Sequence, residues 1–122
     1  SFGSGGIVDA KVHLQHNRAG ATGYVEVSFT ITNALPAVGS VLVTFPEGFA
    51  LNSGGETGVG VIKEDSRILS ISTKTTVFGQ NVVVKLKDRK RSTYSGTRIT
   101  LELTNIKTVL RQVIVKIMKI QK

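Results

Sequence analysis

The chain contains no cysteine and no tryptophan, and among its 122 residues there are two prolines, one methionine and two histidines. The missing cysteine excludes disulfide bonds, thiolate catalysis and cysteine-ligated metal. No Asn-x-Ser/Thr sequence occurs, so N-glycosylation by that route is excluded as well. No run approaches the roughly 20 apolar residues that a membrane-spanning helix needs, and we therefore expect no membrane insertion.

The sequence also lacks the motifs of familiar catalytic and cofactor sites. There is no GxSxG motif, and the glycine-rich segment 54–60 precedes a predicted strand or loop, whereas a phosphate-binding loop precedes a helix. The acidic residues are scattered, with no alternating set of carboxylates for calcium. His13 and His16 are three residues apart on a predicted strand, which places their side chains on opposite faces. We predict a protein that is not an enzyme, with no catalytic residue, metal site or cofactor.

Valine and isoleucine are abundant, and their branched side chains favour the pleated sheet over the helix. A chain of 122 residues corresponds to one domain, which buries roughly 65% of the surface that its unfolded form exposes. We assign residues 1–6, SFGSGG, to a linker or inter-subunit segment and residues 7–122 to a single domain.

The clearest pattern in the chain lies between Tyr24 and Leu51, where apolar and polar residues alternate in two runs. A period of two is typical of a half-buried strand, because successive side chains point to opposite faces. A loop with Pro36 and Gly39 joins the two runs, so we predict a hairpin at the centre of the core. We expect Phe49 and Leu51 to fill the end of that core. The core residues predicted from this and a later strand are Val25, Val27, Phe29, Val41, Val43, Phe45, Ile99, Leu101 and Leu103.

Similar patterns with turn signals between them predict seven or eight strands. They are Ile7–His16, Tyr24–Asn33, Ser40–Phe45, Val59–Lys63, Arg67–Thr73, Asn81–Lys87, Thr97–Thr104, and a last strand from Val109 or Gln112 to Ile120. Short strands at this spacing indicate an all-β, antiparallel two-sheet sandwich of immunoglobulin-like or related topology. A small barrel is the alternative.

The charge balance is strongly basic, with 16 lysines and arginines against 8 acidic residues. Such a charge attracts polyanions, whether nucleic acids, anionic glycans, anionic lipids or acidic protein surfaces. The basic residues are densest at a predicted hairpin tip, where a polyanion contact would comprise Lys85, Lys87, Arg89, Lys90, Arg91 and Tyr94. The alternative is a solvated tip whose lysines keep an edge strand from pairing. One tyrosine is too few for a base-stacking platform, which disfavours nucleic acid and leaves an anionic glycan as the candidate polyanion.

The two terminal strands offer a different kind of contact, because each is rich in β-branched residues. A terminal strand can add to the sheet of a neighbouring subunit. The residues that would make such assembly contacts are Ile7, Val8, Val113, Val115 and Ile117. An ordinary first and last strand of the same sandwich is the alternative.

Residues 32–51, TNALPAVGSVLVTFPEGFAL, resemble the core of repeated β-sandwich modules in large surface and extracellular proteins of microbes and protists. The matching positions are Thr32, Asn33, Leu35, Pro36, Gly39, Val41, Val43, Phe45, Pro46, Gly48 and Phe49. The resemblance implies a structural or adhesive module without an active site, acting at the cell surface or outside the cell, as a tandem repeat or filament subunit in contact with neighbouring copies or domains. A glycan- or polyanion-binding module that uses the basic tip is the alternative function.

Overall fold

The computed structural model describes residues 6–16, 18, 20–70, 72–87, 91–108 and 116–121, with residues 108 and 116–121 described by their backbone alone. The described residues form strands and no helix. The strands are β1 (Ile7–Leu14), β2 (Thr22–Ile31), β3 (Ser40–Thr44), β4 (Phe49–Ala50), β5 (Val59–Glu64), β6 (Arg67–Ile68), β7 (Ser72–Phe78), β8 (Asn81–Lys87), β9 (Arg98–Thr108) and β10 (Lys116–Gln121).

The strands build two antiparallel sheets. The larger sheet has six strands in the order β1-β2-β9-β5-β6, and β4 pairs with the end of β9. The smaller sheet has four strands in the order β10-β3-β8-β7. The prediction of an all-β antiparallel protein with two sheets is therefore confirmed.

The core lies between the two sheets and consists of the alternate residues of their central strands. The larger sheet contributes apolar side chains from β2, β5 and β9, and the smaller sheet contributes them from β3 and β8. All nine predicted core residues are buried, and the cluster also contains Ile31, Leu35, Phe49, Ile62, Val82, Val84, Leu86 and Ile106. The rings of Phe45 and Phe49 meet edge to face with their centroids 5.1 Å apart, so Phe49 closes the end of the core as predicted.

The predicted hairpin between Tyr24 and Leu51 is wrong, although both of its strands are present. β2 lies in the larger sheet and β3 in the smaller one, so the loop with Pro36 and Gly39 crosses from one sheet to the other. Leu35 in this loop is held by reciprocal backbone hydrogen bonds with Thr93, of 2.9 and 2.8 Å. Alternation reveals which face of a strand is buried, and it carries no information about which strand is the neighbour.

β1 contains a bulge that the regular alternation of its sequence did not predict. Val8 pairs with Thr30 and Lys11 with Ser28, so Asp9 and Ala10 together face one residue of β2. Asp9 has a positive φ of 55°, which is typical of the first residue of one bulge type. The carbonyl of Asp9 accepts a hydrogen bond of 2.9 Å from the Arg98 guanidinium. Val8 next to the bulge is exposed, whereas Val12 beyond it is partly buried against the core.

The predicted strand Arg67–Thr73 is also wrong, because the chain changes sheet within it. β6, of two residues, belongs to the larger sheet, and β7 begins at Ser72 in the smaller one. β7 then pairs with β8 through a two-residue turn at Gly79 and Gln80, where Gly79 has a φ of 58°. Glycine at the first position of a two-residue hairpin turn suits the twist of the flanking strands. The predicted last strand begins within residues 109–115, which lie outside the described residues, and its described part is β10.

Candidate functional site

The strands of the two sheets differ in their charged residues. The strands of the smaller sheet carry no acidic residue and five lysines, which are Lys74, Lys85, Lys87, Lys116 and Lys119. Those of the larger sheet carry four acidic residues, which are Asp9, Glu26, Glu64 and Glu102, among a similar number of basic ones. The excess positive charge of these strands is therefore concentrated on the smaller sheet.

Lys74, Lys85 and Lys87 project to solvent because the alternate residues of their strands are committed to the core. Val84 and Leu86 of β8 are fully buried, so the residues between and after them face outward. On β7 the even-numbered residues are exposed and the odd-numbered ones are half-buried. These three side chains thus share the outer face of the smaller sheet, which we call the lysine face.

Two lysines of the lysine face lie directly opposite each other, because Lys74 of β7 pairs with Lys85 of β8. In such a pair the Cα atoms are about 5 Å apart, and like charges in this position destabilise a sheet. Lys87 follows Lys85 on the same face, about 7 Å further along the strand. Among the described residues, none of these lysines forms an ion pair with a carboxylate. A bound anion would remove the repulsion, which makes this cluster the candidate functional site.

The predicted polyanion contact is divided by the fold. β8 and β9 lie in different sheets, so the segment between them is a crossover and the predicted hairpin tip does not exist. Lys85 and Lys87 belong to the lysine face, whereas Arg91 and Tyr94 line a cleft that also contains residues 64–67. Arg89 and Lys90 lie outside the described residues.

The cleft beside Tyr94 has a volume of about 260 Å³ and a polar lining. It contains Glu64, which accepts hydrogen bonds from Thr93 Oγ1 and, at 2.8 Å, from Arg67. Thr93 is buried and Tyr94 is 71% exposed. Because Arg67 already faces a carboxylate, the positive charge of this cleft is partly neutralised, and the lysine face is the stronger candidate for an anion.

The predicted assembly residues that the structure describes pair with other strands of the same chain. Ile7 pairs with Ile31 and packs partly against the core, and Val8 pairs with Thr30. The backbone of Ile117 pairs with Val43 of the same chain. Val113 and Val115 lie outside the described residues. The described positions thus have ladder partners within their own chain.

Sequence reasoning missed Lys74 because it ended a strand at Thr73. A partial signal was present, since STKTTVF is rich in β-forming residues and ends at a glycine turn, although its residue types do not alternate. Because alternate residues of a strand share a face, Lys74 lies on the same face as Thr76 and Phe78. Recognising that Lys74 faces Lys85 also requires the register of the two strands.

No group of three or more histidine or acidic side chains is placed to hold a metal ion among the residues that the structure describes. In the same part of the chain there is no helix long and apolar enough to cross a membrane.

No protein-family model matches this chain, and no curated protein sequence matches it significantly. The fold and the site define a class: an all-β protein of two antiparallel sheets whose smaller sheet presents an outward lysine cluster.

Proposed function

We propose that this chain is a non-enzymatic, immunoglobulin-like module of an extracellular or cell-surface protein, with a structural or adhesive role exerted through contacts with neighbouring copies or domains. The sequence resemblance supports this role. Two antiparallel sheets with one apolar core between them support the immunoglobulin-like assignment, since such domains share this architecture.

The contact that the geometry supports best is the binding of an extended polyanion, of the anionic glycan class, by the lysine face. The observation that carries this proposal is the direct Lys74–Lys85 pair on a sheet whose strands have no carboxylate. Opposed like charges destabilise the sheet, whereas clustered positive charge favours the binding of an anion. Lysine ammonium groups act as point charges with flexible stems, which suits repeated sulfate or carboxylate groups on a flexible glycan.

The test is the affinity of the protein for heparin, used as a sulfated glycan probe, measured by calorimetry at several salt concentrations. We expect the triple variant K74Q/K85Q/K87Q to lose at least about tenfold in affinity and to show a weaker dependence on salt. The matched control is K11Q/K63Q/K107Q, which removes the same charge from the larger sheet. Equal losses in the two triple variants would show that net charge alone, and no particular face, binds the glycan.

The variant R91Q separates the lysine face from the cleft. Arg91 belonged to the predicted polyanion contact, and in the structure it lines the cleft beside Tyr94. We expect R91Q to bind heparin nearly as well as the unmodified protein. A loss as large as that of the lysine-face triple variant would move the site to the cleft.

A further inference from the structure

β7 forms one edge of the smaller sheet, and its outer backbone groups can be identified from the hydrogen bonds of β8. The Leu86 amide donates to the Gly39 carbonyl at 2.8 Å, and the Phe45 amide donates to the Gln80 carbonyl at 2.8 Å. Even-numbered residues of β8 therefore bond to β3, and odd-numbered residues such as Lys85 bond to β7.

The same alternation continues into β7 because its ladder with β8 has no register shift. Ser72, Lys74, Thr76 and Phe78 are paired with odd-numbered residues of β8, so their backbone groups point toward that strand. The N–H and C=O groups of Thr73, Thr75 and Val77 consequently point away from the sheet. Within the described part of the chain no strand covers this edge.

β7 differs from the other sheet edges in being both long and regular. β1 is interrupted by the bulge at Asp9, β10 has a register shift after Ile117, and β6 has only two residues. Bulges and short edge strands are devices that prevent pairing between molecules. β7 has seven residues rich in threonine, with neither proline nor a bulge, and Lys74 is its only charged residue. The end of the strand also carries Phe78, which is 53% exposed.

We propose that two copies of this chain join edge to edge through antiparallel β7 strands, with Thr75 of one copy opposite Thr75 of the other. This deepens the contacts between copies that the proposed function includes, and it rests on that part of it. It does not depend on anion binding.

The β7 sequence is self-complementary in this register. Lys74 lies opposite Thr76 of the second copy, so the two lysines do not face each other, whereas a two-fold axis at Lys74 would oppose them. Phe78 lies opposite Ser72, which lets the exposed ring cover the partner strand. The centred register pairs all seven residues of β7, and the outward groups of Thr73, Thr75 and Val77 would form about six new backbone hydrogen bonds.

The joined sheet would also extend the lysine face. Two four-stranded sheets would become one continuous sheet, with the lysine clusters of both copies on the same side. Their mutual repulsion weakens the dimer at low salt, and screening over roughly 8 Å at physiological salt reduces this effect. A second copy fits this edge because the strand is regular and its centred register is self-complementary without placing the two Lys74 side chains opposite each other.

The test is sedimentation equilibrium across protein and salt concentrations, without any polyanion. We expect a dimer of the unmodified chain and a monomer of Thr75→Pro. Proline removes an amide that faces the open edge and spares the ladder with β8, so the variant should remain folded by circular dichroism.

The register is tested by an opposite pair of substitutions at exposed Thr76. Thr76→Glu places a carboxylate opposite Lys74 of the second copy and should tighten the dimer roughly tenfold, while Thr76→Lys should weaken it by a similar factor. Ala34→Glu and Ala34→Lys, in the exposed loop after β2, make the same charge changes away from the edge.

A monomer at all concentrations, or equal effects at positions 34 and 76, would overturn the proposal. So would a folded Thr75→Pro variant that still dimerises. If the Thr75→Pro variant does not fold, the effects of Thr76→Glu and Thr76→Lys on dimer affinity test the proposal by themselves. A monomeric protein that binds heparin would contradict the dimer and leave the proposed anion site standing. A dimer that does not bind heparin would contradict only the anion site.

Discussion

At the scale of single residues, the core is set by large side chains at alternate positions on the central strands. Phe29 lies in β2 of the larger sheet, Phe45 directly follows β3 of the smaller sheet, and both are fully buried. Removing either ring would therefore leave a cavity that neighbouring side chains can fill only by moving. Both were predicted as core residues from the sequence, because each lies at an alternate position with valines. Residues at alternate positions share one face of a strand, and an apolar face packs against the core.

Replacing Phe45 or Phe29 with alanine should lower the free energy of unfolding by about 3–5 kcal/mol, because the substitution removes buried apolar surface and leaves a cavity. Urea denaturation followed by circular dichroism measures the change. Tyr94→Ala is the control, since this ring is 71% exposed and its loss should change stability by less than about 0.5 kcal/mol. An equal loss at Tyr94 would contradict the burial of the two phenylalanines.

At the scale of the strand, the bulge of β1 is connected to Arg98 of β9, whose side chain contacts both β1 and β2. The guanidinium of Arg98 donates to Ser28 Oγ at 2.8 Å, to Thr30 Oγ1 at 3.2 Å and to the carbonyl of Asp9. Arginine suits this position because its planar group presents several donors at once. The bulge turns that carbonyl toward β9, so local backbone conformation and long-range contact support each other.

Substitutions at Asp9 should separate bulge geometry from side-chain chemistry. Asp9→Gly should leave stability unchanged or raise it slightly, because glycine adopts the φ of 55° without strain. Asp9→Val should destabilise the protein by about 1–2 kcal/mol, because a β-branched residue is strained at positive φ. Thermal and urea unfolding of the two variants measure the difference. If valine were tolerated as well as glycine, the bulge would not be a fixed feature of β1.

The strand scale is also where sequence reasoning reached its limit. The bulge of β1 leaves no mark in the alternation of Val8 and Val12, because an inserted residue is visible only against the partner strand. The break between β6 and β7 was likewise hidden, since a strand that changes sheet keeps a β-forming composition. Lys74 was lost from the candidate site for this reason.

At the scale of the whole molecule, a net charge of +8 is distributed unevenly, and the smaller sheet carries a direct lysine pair. Self-repulsion of this kind lowers the stability of the compact state. The proposed function therefore predicts a conflict in which the lysines that bind an anion also weaken the fold.

Lys85→Glu should increase the stability of the fold and decrease its affinity for an anion. It converts the opposed lysines into an opposite-charge pair, which should raise the free energy of unfolding by about 0.5–1 kcal/mol at low salt, while heparin affinity falls. Urea unfolding at low and high salt measures the gain, which should shrink as the Debye length shortens. Lys11→Glu makes the same charge change where the ladder partner is Ser28. A gain of the same size there would show that only net charge matters.

The sequence alone determined that the chain forms β-strands, which residues line its core, and that its charge favours polyanions, because each depends on residue type and a period of two. Only the tertiary structure decided which strands are neighbours: β2 and β3 separate into different sheets, and Lys74 comes to face Lys85. Strand pairing joins residues distant in the chain, and many pairings bury the same apolar faces. The choice among them depends on the packing of the whole core, which no local pattern contains.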